Sequence, residues 1–164
     1  MSFGFLVAGF LATTNAGRFA LAFQADRPRA RGVALALLAG FALVAVAVVF
    51  ADDLLDALSI SPESFRIAAG LVLGAAGVRT LVWPQPASGP FPAVLVTPEL
   101  ASLALSFGAD EPNWKVFAAA AVALPFLIAA VARPRGPIVL TAQFLAALQL
   151  VVAVALIVSG VRDV

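Results

Sequence analysis

The chain has 164 residues, of which 63% are apolar and only 12% charged, for a net charge of +1. Its mean hydropathy is +1.07. A soluble domain of this length needs a polar shell that this composition cannot supply, so the chain reads as an all-α integral membrane protein. It contains no Cys, His or Tyr, which excludes disulfides, thiolate chemistry, a His-based triad and a Cys/His zinc site. Carboxylates, amides, hydroxyls and Arg remain. No metal or cofactor is expected. No basic face interleaved with aromatics is present, so nucleic acid is not an expected partner.

Six apolar runs follow in chain order, at residues 3–23, 33–51, 65–83, 91–107, 114–132 and 138–160. Each is close to the ~20 residues that cross a ~30 Å hydrocarbon core. The first run has no Lys or Arg ahead of it and its apolar pattern resumes after Arg18, so it reads as a span rather than a cleaved signal. Through its middle runs the polar stretch "TTNAGRF", Thr13 to Phe19. The third run opens on "SISPESF", with Ser61 placed to cap a helix and Pro62 in its first turn. Gly70, Gly74 and Gly77 then form a small-residue face, suited to close helix contact within the bundle or to a homo-oligomer. The proline-rich "WPQPASGPFP", Trp83 to Pro92, reads as a stiff linker. In the fourth run Pro98 removes a backbone donor, which predicts a kink or break near Thr97–Glu99. In the sixth, Gln143 and Gln149 lie about 120° apart around the helix.

If the runs alternate, one side of the membrane receives Arg27, Arg29, Arg31, Arg79, Arg133 and Arg135, and the other Arg66, Lys115 and Arg162. The positive-inside rule makes the first side cytoplasmic and puts both termini outside. Asp52, Asp53, Asp56, Glu63, Asp110 and Glu111 fall on the outer side and read as solvated loop residues, cation attraction being the alternative.

Slid against itself by 84 residues, the sequence places "ALAFQADRPRAR" from Ala20 over "ALSFGADEPNWK" from Ala104. With a shift of 83, Gly77–Arg79 lies over Gly160–Arg162 as a second Gly-Val-Arg. Two halves, 1–82 and 93–164, joined by the linker 83–92, would each hold three spans. An odd number forces the second half to enter from the opposite side, giving two inverted three-helix repeats whose first helices are broken or kinked, as in many secondary transporters.

The repeat sets Asn15 over Glu99, Arg18 over Ser102 and Ala22 over Ser106. Glu99, Ser102 and Ser106 share one helix face. Arg18 lies about 8 Å from the centre of its run and can snorkel towards headgroups, whereas Glu99 is central in the run 91–107. A lone carboxylate there costs on the order of 3 kcal/mol, so Glu99 should be protonated or paired. Thr14, Asn15, Arg18, Thr97, Glu99 and Ser102 are the candidate residues for binding a small solute or ion. The alternative is that Arg18 and Glu99 pair and plug the two breaks in a non-transporting scaffold. One intramembrane carboxylate without an acid–base partner argues against an enzyme.

These residues resemble the MarC family of bacterial inner-membrane proteins, a branch of the LysE-type exporter superfamily. The likeness is carried by "ISPESFRIAAGLVLGAAGVRTLV", Ile60 to Val82, similar to the family's Ile-Ser-x-x-x-Phe-Arg-Ile-x-Gly-Gly. The family's Asp-Pro-x-Gly-Asn falls on Thr14 to Arg18 with only Gly17 kept, and its Gly-Pro-Gly-Thr falls on Thr97 to Leu100 with only Pro98 kept. The resemblance implies six spans in two three-helix repeats and a transporter or exporter of small solutes or ions in a bacterial inner membrane.

Overall fold

The computed structural model describes residues 1–26, 30–83, 94–132 and 138–163. Among them every regular element is a helix: α1 (Phe3–Thr14), α2 (Ala16–Asp26), α3 (Ala30–Val49), α4 (Ala51–Leu58), α5 (Pro62–Val82), α6 (Pro98–Asp110), α7 (Asn113–Ala132) and α8 (Ile138–Asp163). Among the described residues four stretches are long and apolar enough to cross a membrane: Phe3–Gln24, Ala30–Val49, Pro62–Val82 and Ile138–Asp163. The chain is thus an all-α protein built for a membrane. Its outward faces agree, since Leu38, Leu71, Phe144 and Val151 are each more than three-fifths exposed. A helix that is apolar on all sides suits lipid as its solvent. Trp83 apart, the linker 83–92 lies outside the described residues, as do Arg27, Arg29, Arg133 and Arg135.

The core gathers Leu6 and Phe10 of α1, Val44 and Val48 of α3, Leu73 of α5, Leu103 and Phe107 of α6, Val116 of α7 and Leu156 of α8. Phe107 meets Phe5 and Phe10 edge-on, with ring centroids 6.0 and 5.7 Å apart. Helices α5 and α8 run antiparallel along most of their length, notch against knob. A Cβ on Gly70 would lie 2.6 Å from Ile157, and one on Gly160 would lie 2.7 Å from Ile67. The small-residue face of α5 is therefore used inside the bundle, through Gly70 and Gly77. Gly74 has only an ordinary contact, at 3.8 Å. Gln143 and Gln149 serve the same interface: their side-chain amides donate to the backbone oxygens of Leu81 and Leu73, at 3.3 and 3.2 Å.

Two stretches differ from the sequence expectation. The fourth run does not form a helix over 91–107. Residues 94–97 are not helical, and α6 starts at Pro98 and runs on to Asp110, because Thr97 caps it and Pro98 cannot continue a helix backwards. Its 13 residues span about 20 Å, short of a bilayer core. The acidic stretch after α3 is a helix rather than a solvated loop. Ala51 and Leu55 bury one side of α4, the Asp residues line the other, and Ser59 closes it at φ 54°.

At the end of the bundle where α5 begins, Arg66 donates to Asp110 at 2.7 Å and to Asp163 at 2.6 Å, tying α5 to α6 and α8. Glu111 accepts from Lys115 at 2.9 Å and from the Met1 amino group. Asp110 and Glu111 are thus consumed in ties between helices. The sequence reading gave them only a place in an outer loop.

Candidate site at the helix breaks

The first span is interrupted at Asn15, which takes a left-handed conformation at φ 39°. Asn tolerates this better than most residues because its short amide bonds locally. Its Oδ1 accepts from the Arg18 backbone N–H at 3.1 Å, capping α2, and its Nδ2 donates to the Ala142 oxygen of α8 at 3.1 Å. Gly17, just after the break, has a packing role. A Cβ there would lie 2.4 Å from the backbone nitrogen of Ala142, so only glycine lets α2 sit this close to α8.

The second break is built from other residues. The Thr97 hydroxyl accepts from the Leu100 N–H at 3.2 Å, and Glu99 stands in the first turn of α6. The ends of α2 and α6, Asp26 and Asp110, keep the 84-residue shift, but the two caps, Asn15 and Thr97, are 82 apart. Pro98 starts its helix two residues early, so Glu99 does not occupy Asn15's place. A first-turn carboxylate complements the positive end of the α6 dipole, whereas Arg18 opposes that of α2.

The two caps meet. One small cavity is lined by Thr13, Thr14, Asn15, Arg18 and Thr97, with Val94 and Leu95 closing it. The space clear of its walls takes about one water. Of the six residues proposed from sequence, the cavity thus brings together Thr14, Asn15, Arg18 and Thr97. Glu99 stands beside it, half-buried, with one carboxylate oxygen enclosed and without a hydrogen-bond partner. Ser102 is also outside the lining, and its hydroxyl donates to the Pro98 oxygen at 2.6 Å. Arg18 feels the charges of Glu99 and Arg79, yet among the described residues no ion pair joins Arg18 to Glu99. Ser106, one turn further along the same face of α6, is buried with an unpartnered hydroxyl.

A second cavity shares Thr14 and Leu95 with the first and extends between α1, α3, α6 and α7 over Phe10, Leu37, Phe41, Val44 and Ala123. Its wall is almost wholly apolar. No sequence signal marks this lobe, because an ordinary Leu or Val in an apolar helix looks the same whether it faces a cavity or lipid. Among the described residues no cluster of carboxylates could hold a metal ion. No protein-family profile, no curated protein and no solved structure matches the chain.

Proposed function

We propose that the chain is a small polytopic transporter or exporter, MarC-like in plan, whose solute or ion binds where the two helix breaks meet. The observation that carries this reading is the convergence of both N-caps, Asn15 and Thr97, with Arg18 on one polar cavity inside an apolar bundle. Broken helices are tolerated at membrane depth where they line a cavity, and secondary transporters place their sites there. The contacts between helices favour the inverted repeat: α2 packs on α7 as α6 packs on α3, and α2 touches α8 as α6 touches α5. These pairs exchange when the halves are exchanged. With six spans the termini lie outside a bacterial inner membrane, as the Arg distribution requires. Glu99 is the proton- or cation-linked group in this scheme.

A second reading, a non-transporting scaffold or accessory subunit, is favoured by one fact. Both ends of the Asn15 amide are engaged in holding α2 and α8. The test is flux. Proteoliposomes loaded with a metabolite extract and carrying wild-type protein should lose at least one solute that liposomes with Arg18→Gln retain. Identical retention by wild type, variant and empty liposomes would support the scaffold. If a solute is found, a Glu99→Gln flux with unaltered pH dependence removes Glu99 from the coupling role.

A further inference from the structure

Taking the transport reading as its premise, we infer that the ligand is an amphipathic organic anion: one anionic group and a short apolar chain. The two cavities are neighbours whose walls share Thr14 and Leu95. One lobe is polar and the other is lined by Phe10, Leu37, Phe41 and Val44.

Charge selects the sign of the head. The polar lobe holds Arg18, a fixed cation whose guanidinium has no ion pair among the described residues. Both helix N-termini that reach the lobe present the positive ends of their dipoles, on helices of 11 and 13 residues. Arg79 adds a second positive charge within range of Arg18, and Glu99 supplies the one opposing charge on it. Glu99 lies outside the lining, so it acts on Arg18 and leaves the lobe's own wall without a carboxylate. A cation in the polar lobe would face Arg18 directly. An inorganic anion would leave the apolar lobe unused, and a purely apolar molecule would leave the half-buried Arg18 without an anion.

Shape selects the tail. From Thr14 the second lobe continues towards Gly40, where a Cβ would lie 2.9 Å from Leu95. A side chain at that position would press on the wall between the lobes. A narrow, unbranched chain with its head at Arg18 and its tail against Phe10 and Phe41 would reach both cavities once the Leu95 side chain between them turns aside. The same chemistry comes from a free organic acid or from an anionic lipid of the bilayer, and the experiment separates them.

The probes are hexane-1-sulfonate, methanesulfonate and hexyltrimethylammonium, with calorimetric binding to protein in phosphatidylcholine nanodiscs and empty nanodiscs subtracted. Hexanesulfonate should bind roughly tenfold tighter than methanesulfonate, the gain from burying about two of its methylenes, and hexyltrimethylammonium should not bind specifically. Arg18→Gln should abolish hexanesulfonate binding, and Leu37→Trp should remove the chain-length advantage, each compared at equal folded fraction. Doping the nanodiscs with phosphatidylglycerol weakens hexanesulfonate binding if lipid is the occupant and leaves it unchanged if a free acid is. Equal binding of the two sulfonates, specific binding of the ammonium, or full binding by Arg18→Gln overturns the inference. Flux of a cation or neutral solute in the extract assay would overturn it while leaving transport intact. Selective sulfonate binding without any flux would keep the site and remove the transport reading.

Discussion

Among the described residues two arginines, Arg18 and Arg66, are drawn in from the surface of this apolar bundle, and the molecule treats them differently. Arg66 is buried with two carboxylates in contact, one from each neighbouring helix. Arg18 stands at a break in its helix, beside a cavity, with its nearest carboxylate in charge range but out of contact. A buried charge with fitted partners holds helices together, and its removal strands those partners. A charge left without a contact partner beside empty space is stabilised less and is open to a ligand. The same residue type thus gives a tie in one place and a candidate site in the other.

The contrast is tested first where it is steepest. Arg66→Ala leaves Asp110 and the half-exposed Asp163 without their partner, and breaking a fully buried pair costs about 3–5 kcal/mol, which is the upper bound here. The unfolding midpoint in detergent, followed by Trp83 and Trp114 fluorescence, should fall sharply. A midpoint equal to wild type would mean the Arg66 cluster ties nothing. Gly17→Ala sharpens the comparison from the other region. A Cβ at 2.4 Å from the Ala142 backbone must push α2 from α8, at about 1–3 kcal/mol, with lowered thermal stability and a site displaced with it.

A smaller effect comes from Glu111. Hydrogen bonds from the Met1 amino group and from Lys115 hold its carboxyl below the ordinary value of 4.5. A depressed carboxylate contributes stability that is complete above the unfolded value and disappears as the pH falls through the folded one. Between about pH 6 and about pH 3.5 the wild-type midpoint should therefore fall further than that of Glu111→Gln. Parallel pH curves would remove Glu111 from the tie. Glu99→Gln should change stability least, within about 0.5 kcal/mol, because one oxygen of Glu99 has no partner to lose. A large destabilisation would show that Glu99 is structural and would blur the distinction between the two regions.

Much of this plan is legible in the sequence, for identifiable reasons. Ser61 and Pro62 start α5 as read, with the Ser61 hydroxyl accepting from the Ser64 N–H at 3.3 Å, because capping is a local interaction. The polar interruption at Thr13–Arg18 and the break at Pro98 are local too. The partners of Arg66 were not legible, since Asp110 and Asp163 lie 44 and 97 residues away and nothing in the chain marks which carboxylate an arginine will meet. Run length does not give the place of Glu99 within its helix. Apolarity continues through residues 91–107 whether or not the backbone is helical, so the centre of the run was not the centre of a helix. Leu95, which closes the polar lobe and walls the apolar one, carries no local signal at all.

The central claim, that the helix breaks enclose a solute path and not a dry plug, is tested most directly by labelling from water. The chain has no cysteine, so Thr14→Cys and Thr97→Cys in native membranes each offer a single thiol, with Val44→Cys as the reference facing the apolar lobe. A membrane-impermeant maleimide should label Thr14→Cys and Thr97→Cys and leave Val44→Cys unmodified. Failure to label either cap-region thiol, in protein shown to be folded, would contradict the account.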